Sequence, residues 1–296
     1  MPRRGGAIEK RAIANVNKVI IVASGKGGVG KSTIAVNLAF ALAQLRDATL
    51  NRNLRVGILD LDIFGPSIPT LVGLKDPDEP RLTEAGAIIP LTNHGIPTMS
   101  MGYLLPKEAA SNSSDDTPVV WRGLMVQKAV QQLLFDVDWT AGGRETQLDA
   151  LVIDMPPGTG DVPLTLGQLL RVDGTVIVST PQDVALSDVR KGVAMFRKVA
   201  VPITGILLNQ THFVCPSCTA PHPLFGSPEK FRSVAKQLDL DVLGELPLVP
   251  DVSEGGDKGV PSMLISPSTA ANTGRATWND GMKSVAKAVW KKANSS

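Results

Sequence analysis

Runs of branched apolar residues recur along the chain and alternate with stretches whose apolar positions fall at helical spacing. The runs are KVIIVAS (18–24), RVGILDLD (55–62), LDALVIDM (148–155), GTVIVST (174–180), ITGILLN (203–209) and DVLGELP (241–247). Continuous Val, Ile and Leu suits strands buried on both faces, as in a parallel sheet covered by helices. Helical spacing fills KSTIAVNLAFALAQL (31–45), and further helices are expected near 122–135, 162–170, 183–199, 228–238 and 268–292. The alternation predicts a doubly wound α/β fold with a mostly parallel sheet, its ligands bound at the carboxyl ends of the strands. No repeat or linker divides the chain, so residues 18–296 are expected to form one domain behind a flexible lead-in over 1–17. Two stretches break the rhythm. LLPKEAASNSSDDTP (104–118) is polar and low in complexity and reads as a mobile surface loop. The segment over about 210–228 clusters Pro, Ser and Thr around two cysteines.

Composition narrows the class. Of 296 residues, 43% are hydrophobic and 20% charged, ordinary values for a soluble globular protein. A formal charge of +2 gives no basis for bulk attraction to nucleic acid, and 4% aromatics leaves little for stacking on single strands. No nucleic-acid partner is therefore expected. No apolar run approaches the roughly 20 residues that cross a bilayer, so no stable membrane insertion is expected either. The basic start MPRRGGAIEKR lacks the apolar core of a secretory signal and reads as a solvated lead-in or the remnant of a transit peptide.

GKGGVGKS (25–32) fits the phosphate-loop pattern G-x-x-x-x-G-K-[ST], with an apolar strand before it and a helix after it. Gly25, Lys26, Gly27, Gly28, Val29, Gly30, Lys31, Ser32 and Thr33 are the expected cradle, with backbone N–H groups and a helix N-terminus aimed at phosphate oxygens. Lys31 would neutralise the β- and γ-phosphates, and the Ser32 hydroxyl would ligate Mg²⁺. Lys26 is a second cation, inside the loop, that the pattern does not require. Two further apolar strands end in acids. LDLDIFGPS (59–67) places Asp60 and Asp62 on one side of a strand by the two-residue period. LVIDMPPGTGD (151–161) ends in Asp154, where an acid holds Mg²⁺ through water, and Gly158 is positioned to offer its N–H to the γ-phosphate. Ser32, Asp60 and Asp154 are the candidate Mg²⁺ ligands.

The only cysteines, Cys215 and Cys218, form one C-x-x-C flanked by His212 and His222. That is no disulfide framework, and it points to a reducing compartment. Two thiolates and two histidines suit a tetrahedral zinc site. A redox dithiol is a second reading, although such pairs normally open a helix after a strand. A structurally idle pair is the third. The fourth is a shared cluster: a [4Fe–4S] cluster takes four thiolates, and a symmetric dimer of this chain supplies four.

GKGGVGKST, with its extra Lys26, resembles the deviant phosphate loop of the MinD/Mrp/ArsA group of dimeric ATPases. That resemblance implies a homodimer in which Lys26 reaches the partner's nucleotide and acts as an arginine finger does. It also implies that Asp62 orients the attacking water, that Asn209 reads the adenine edge, and that the LPLVPDV loop (246–252), including Pro247, closes over the base. DIFGPSIP, VVWRGLMVQKAVQQLLF, DMPPGTGD, STPQDVAL and FVCPSC…LFG together resemble the Mrp/NBP-type iron–sulfur cluster carriers over about residues 16–292. WRGLM and QQLLF (121–135) are similar to the mitochondrial branch, which serves assembly of respiratory complex I. The resemblance implies ATP, Mg²⁺ and a [4Fe–4S] cluster shared between Cys215 and Cys218 of two subunits. It further implies a slow ATPase that acts as a switch, transfer to apo iron–sulfur proteins such as complex I subunits, and a mitochondrial matrix location, with bacterial cytoplasm as the alternative. A MinD-like positional ATPase is the rival reading, and it needs a C-terminal amphipathic helix facing lipid. The segment WNDGMKSVAKAVWKKANSS (278–296) is basic and carries Trp278 and Trp290, but its apolar face is thin (Val285, Ala288, Val289) and it is expected to close the fold instead.

Overall fold

A computed structural model describes residues 10–47, 49–104, 123–143, 146–215, 220–265 and 273–295. The loop expected at 104–118 lies outside them apart from Leu104, as do Cys218 and Thr219.

The apolar runs become the strands β1 (Val16–Ser24), β4 (Val56–Asp60), β7 (Leu148–Asp154), β8 (Gly174–Ser179), β9 (Gly205–Leu208) and β12 (Val242–Glu245). They share one eight-stranded sheet with β5 (Leu91–Asn93) and β6 (Ile96–Ser100), in the order β12-β9-β8-β1-β7-β4-β6-β5. Every pairing is parallel except β5 with β6 at the edge. Small ribbons pair β2 (Arg46–Asp47) with β3 (Arg52–Asn53) and β10 (Phe213–Val214) with β11 (Pro221–His222). The doubly wound α/β fold is the one expected.

Burial on both faces explains the continuous apolar runs. Along β1, Val19, Ile21 and Ala23 enter one hydrophobic layer while Ile20 and Val22 enter the other. The first layer is closed by α3 (Gly123–Phe135), α4 (Asp161–Leu169), α5 (Asp183–Lys198) and α6 (Pro228–Gln237). The second is closed by α1 (Lys31–Ala43) and α8 (Thr273–Ser295), with α2 (Ile68–Leu71) and α7 (Pro250–Asp257) at its rim. Helix α1 is buried from Ile34 to Leu42 on all sides because α8 covers the face turned away from the sheet. Trp278, Met282, Val285 and Val289 of α8 are spent on that contact. The apolar stripe that a lipid-facing helix would need is thus inside the core. Among the described residues no helix is long and apolar enough to cross a membrane.

The lead-in is shorter than expected. Ile13 is buried, Arg11 bridges Leu170 through its backbone, and its guanidinium lies 4.3 Å from the Phe135 ring centroid. Residues 10–17 therefore belong to the folded unit, because one apolar side chain and a cation–π contact tie them to α3 and α4.

Candidate functional site

Strand β1 ends at Ser24, and the chain turns through Gly25–Gly30 into α1. Gly28 and Gly30 take φ of 79° and 82°, the left-handed region that a side chain resists. Gly30 also makes room for a neighbour: a Cβ there would lie 2.5 Å from Nδ2 of Asn209. Gly25 is packed as tightly, since a Cβ would meet the Asp188 Cβ at 2.4 Å, so α5 rests directly on the loop. The first turn of α1 has no side-chain cap and no acid, which leaves its N–H groups and dipole open to an anion. The loop forms one wall of an open cleft of about 460 Å³, opposite Asp62, Ser67, Thr70 and Asp257.

Adjacent parallel strands put Asp60 beside Asp154 at the carboxyl edge. Both are buried, and Lys31 reaches over them with its ammonium 2.6 Å from Asp154 Oδ1 and 3.1 Å from Ser32 Oγ. Burial raises the Asp154 carboxyl, while Lys31 and Ser32 pull it down. Its Oδ2 is buried without a hydrogen-bond partner. An unpartnered carboxylate oxygen beside the loop serine is a hard oxygen donor set of the kind Mg²⁺ takes, so these residues fit the ion.

Asp60 behaves differently. Its Oδ1 accepts from the Asp62 N–H at 2.9 Å, and its Oδ2 accepts from Ser100 Oγ at 3.0 Å and from the Ile68 N–H at 3.3 Å. Burial, reinforced by Asp154, pushes its pKa up to about 8. The expectation that Asp60 and Asp62 share a strand face is corrected here: β4 stops at Asp60, which folds inward to hold the turn, and Asp62 alone lines the cleft. Asp60, expected as a Mg²⁺ ligand, has both oxygens committed to its own chain. Ser100, on a strand that the apolar-run pattern did not reveal, is one of its partners. The signal for that strand was the tight Asn93-His94-Gly95 turn, with His94 at φ 49° and Gly95 at 80°, ahead of IPTMS.

Lys26 extends along the surface to Gln182 Oε1, 2.7 Å away, at the N-cap of α5. Gly158 does not present its N–H to the cleft; that group donates to the Ser24 carbonyl at 2.9 Å. Asn209 ends β9, and its Nδ2 donates to the Val29 carbonyl of the phosphate loop at 2.9 Å. Pro247 is buried just after β12. Cys215 is half-buried at the tip of the β10–β11 hairpin, where its N–H donates to the Ala220 carbonyl at 3.1 Å. His222 is exposed, and His212 Nδ1 lies 2.8 Å from Thr211 Oγ1. Phosphate loop, acids and cysteine hairpin all stand at the carboxyl edge of one sheet.

Comparison with known proteins agrees with this geometry. A family model described as "ParA: NUBPL iron-transfer P-loop NTPase" matches residues 15–282. The mouse "Iron-sulfur cluster transfer protein NUBPL" is 47% identical over 88% of this chain and 75% of its own length. The Arabidopsis thaliana "Iron-sulfur protein required for NADH dehydrogenase, mitochondrial" is 44% identical over 89% and 77%. The Aquifex aeolicus "Iron-sulfur cluster carrier protein" is 43% identical over 87% of this chain and 65% of its own length. Among solved structures, an Archaeoglobus fulgidus nucleotide-binding protein in complex with ADP superposes with a TM-score of 0.66 at 33% identity, covering 83% of this chain and 87% of that one. The Pyrococcus furiosus cell division ATPase MinD, at 17% identity and a TM-score of 0.58 over 93% of this chain and 99% of that one, shares the fold. The chain belongs to the family of NUBPL iron-transfer P-loop NTPases.

Proposed function

We propose that this protein is an ATP-dependent carrier that assembles a labile [4Fe–4S] cluster between two copies of itself and passes it to apo-proteins, respiratory complex I subunits among them. The observation that carries the reading is the placement of Cys215, on a two-stranded hairpin at the same sheet edge as a complete phosphate loop. The cluster is cargo, held by Cys215 and Cys218 of both subunits and released to a recipient.

Within one subunit, Lys31 and the N–H groups of residues 27–33 bind the phosphates, and Lys31 favours the ionised form of Asp154 against the burial that raises its carboxyl. Asp154 Oδ2 and Ser32 would hold Mg²⁺, which supplies charge neutralisation at the β- and γ-phosphates. Asp62, on the far wall of the cleft, orients water for attack; burial raises its carboxyl and Lys31 lowers it. Asn209 and the loop around Pro247 hold the base. Lys26 leaves Gln182 and reaches the partner's nucleotide, so hydrolysis requires the dimer that also completes the cluster site. Turnover is slow because hydrolysis is a switch. The relatives named for mitochondrial and bacterial carriers support the mitochondrial matrix as its location, with bacterial cytoplasm as the alternative.

The test is transfer. Protein reconstituted anaerobically with iron and sulfide should pass its cluster to an apo [4Fe–4S] protein, followed by the recipient's EPR signal and recovered activity. The Cys215→Ala variant should pass none. Transfer by that variant equal to the unsubstituted protein would overturn the reading.

A further inference from the structure

The stem of the cysteine hairpin is rooted in the nucleotide site. β9 and β12 pair in parallel, and their pairing continues past both strand ends. The Leu246 N–H donates to the Leu208 carbonyl at 2.8 Å, the Thr211 N–H to the Leu246 carbonyl at 2.9 Å, and the Leu248 N–H to the His212 carbonyl at 2.7 Å. Phe213 and Leu248 close the run as a parallel bridge. One side of this ribbon is the hairpin stem, and the other is the loop expected over the base.

The root of the stem, Asn209, grips the phosphate loop through its side chain and β8 through its N–H, which donates to the Ser179 carbonyl at 2.8 Å. Gln210 follows at φ 57°, a left-handed conformation for a residue with a side chain, and it kinks the stem where it leaves the sheet. Thr211 comes next and is 3% exposed. Its hydroxyl donates to the Leu246 carbonyl at 3.1 Å and meets His212 Nδ1 at 2.8 Å, so one side chain joins the two strands of the ribbon to the hairpin. Cys215 is four residues beyond it.

We infer that residues Asn209–Val214 relay nucleotide state to the cysteine hairpin, with Gln210 as the hinge and Thr211 as the residue that couples the hairpin to the base loop. A change at the Val29 carbonyl or in the loop at 246–250 has a short, hydrogen-bonded route to Cys215 through this ribbon. The inference deepens the carrier reading and rests on it for the identity of the cargo, but the relay itself concerns only this chain. Thr211 is a positioning residue and touches neither phosphate nor cluster. Coupling of this kind is reciprocal, so a group held at the cysteines alters nucleotide affinity by the same factor that nucleotide alters affinity for that group.

The test uses full-length, cluster-free protein and hydrogen–deuterium exchange of peptides covering 211–226, with and without saturating Mg-ADP and Mg-ATP. Nucleotide affinity is measured in parallel. In the unsubstituted protein, nucleotide should change exchange in this segment by about tenfold, the size of a typical coupling. In Thr211→Val, nucleotide should bind within about twofold of normal while the change in the segment is largely lost. If Thr211→Val does not fold, Gln210→Gly, which frees the hinge, is judged by the same readout. No response in the unsubstituted protein overturns the relay. So does an undiminished response in the variants, because protection from dimer contacts alone would survive these substitutions. A segment that responds in a protein that never takes up iron keeps the relay and removes the cargo assignment.

Discussion

The phosphate loop and the cysteine hairpin stand at the same sheet edge but differ in completeness. The loop has its glycines, its buried Lys31–Asp154 pair and its open helix terminus in a single chain. The hairpin belongs to a chain with two cysteines, half the thiolates of a cubane cluster. The loop is made by local backbone geometry, which a short stretch of sequence specifies. The cluster site, as proposed, needs a second copy of the chain to supply the other two thiolates.

Substitutions separate the two regions most sharply at the cysteine. Cys215→Ala should abolish cluster reconstitution, read as iron and sulfide content, while its nucleotide affinity stays within about twofold of that of the cluster-free unsubstituted protein. A matching loss of nucleotide binding would mean that the regions are one site. Lys26 is the residue through which the complete site is proposed to depend on a second copy. Lys26→Ala should retain ATP binding and lose hydrolysis by about a thousandfold, as removal of an arginine finger does. Normal steady-state hydrolysis would make its bond to Gln182 the whole of its role.

Much of this was legible in the chain. The apolar runs identified six of the strands in parallel pairings, Val16–Ser24, Val56–Asp60, Leu148–Asp154, Gly174–Ser179, Gly205–Leu208 and the partly exposed Val242–Glu245, because burial on both faces of the inner ones leaves no polar alternation to confuse the reading. The edge hairpin at Leu91–Ser100 was missed, since short strands beside a turn carry little apolar signal. Period-two reasoning placed Asp60 and Asp62 together, and it failed because a strand's period ends with the strand. Contacts between distant segments, such as Lys26 with Gln182, Gly25 with Asp188 and Asn209 with Val29, leave no mark on local pattern.

Lys31 belongs to the phosphate loop alone. Lys31→Ala should weaken ATP binding by about a hundredfold, measured by equilibrium dialysis, through loss of a charge-assisted bond. It should also lower unfolding stability by about 3 kcal/mol, because Asp154 is left buried without its partner.

A pH trend is confined to the acids under the loop. Asp60 is raised from 3.8 to about 8, so the folded state keeps a proton that the unfolded chain has released between those values. Its contribution to stability is complete below the unfolded value and is lost as pH rises through about 8. The slope is at most about 1.4 kcal/mol per pH unit for one proton. Denaturant midpoints of nucleotide-free protein between pH 5 and 8 should fall with rising pH, and Asp60→Asn should flatten that fall.

Two chains are proposed to make one cluster site. Iron and acid-labile sulfide counted against native mass, on anaerobically reconstituted protein with ATP, test it most directly. A dimer carrying about four irons and four sulfides, hence about two of each per chain, is the expected result. Four irons on a monomer, or zinc in place of iron, would contradict it.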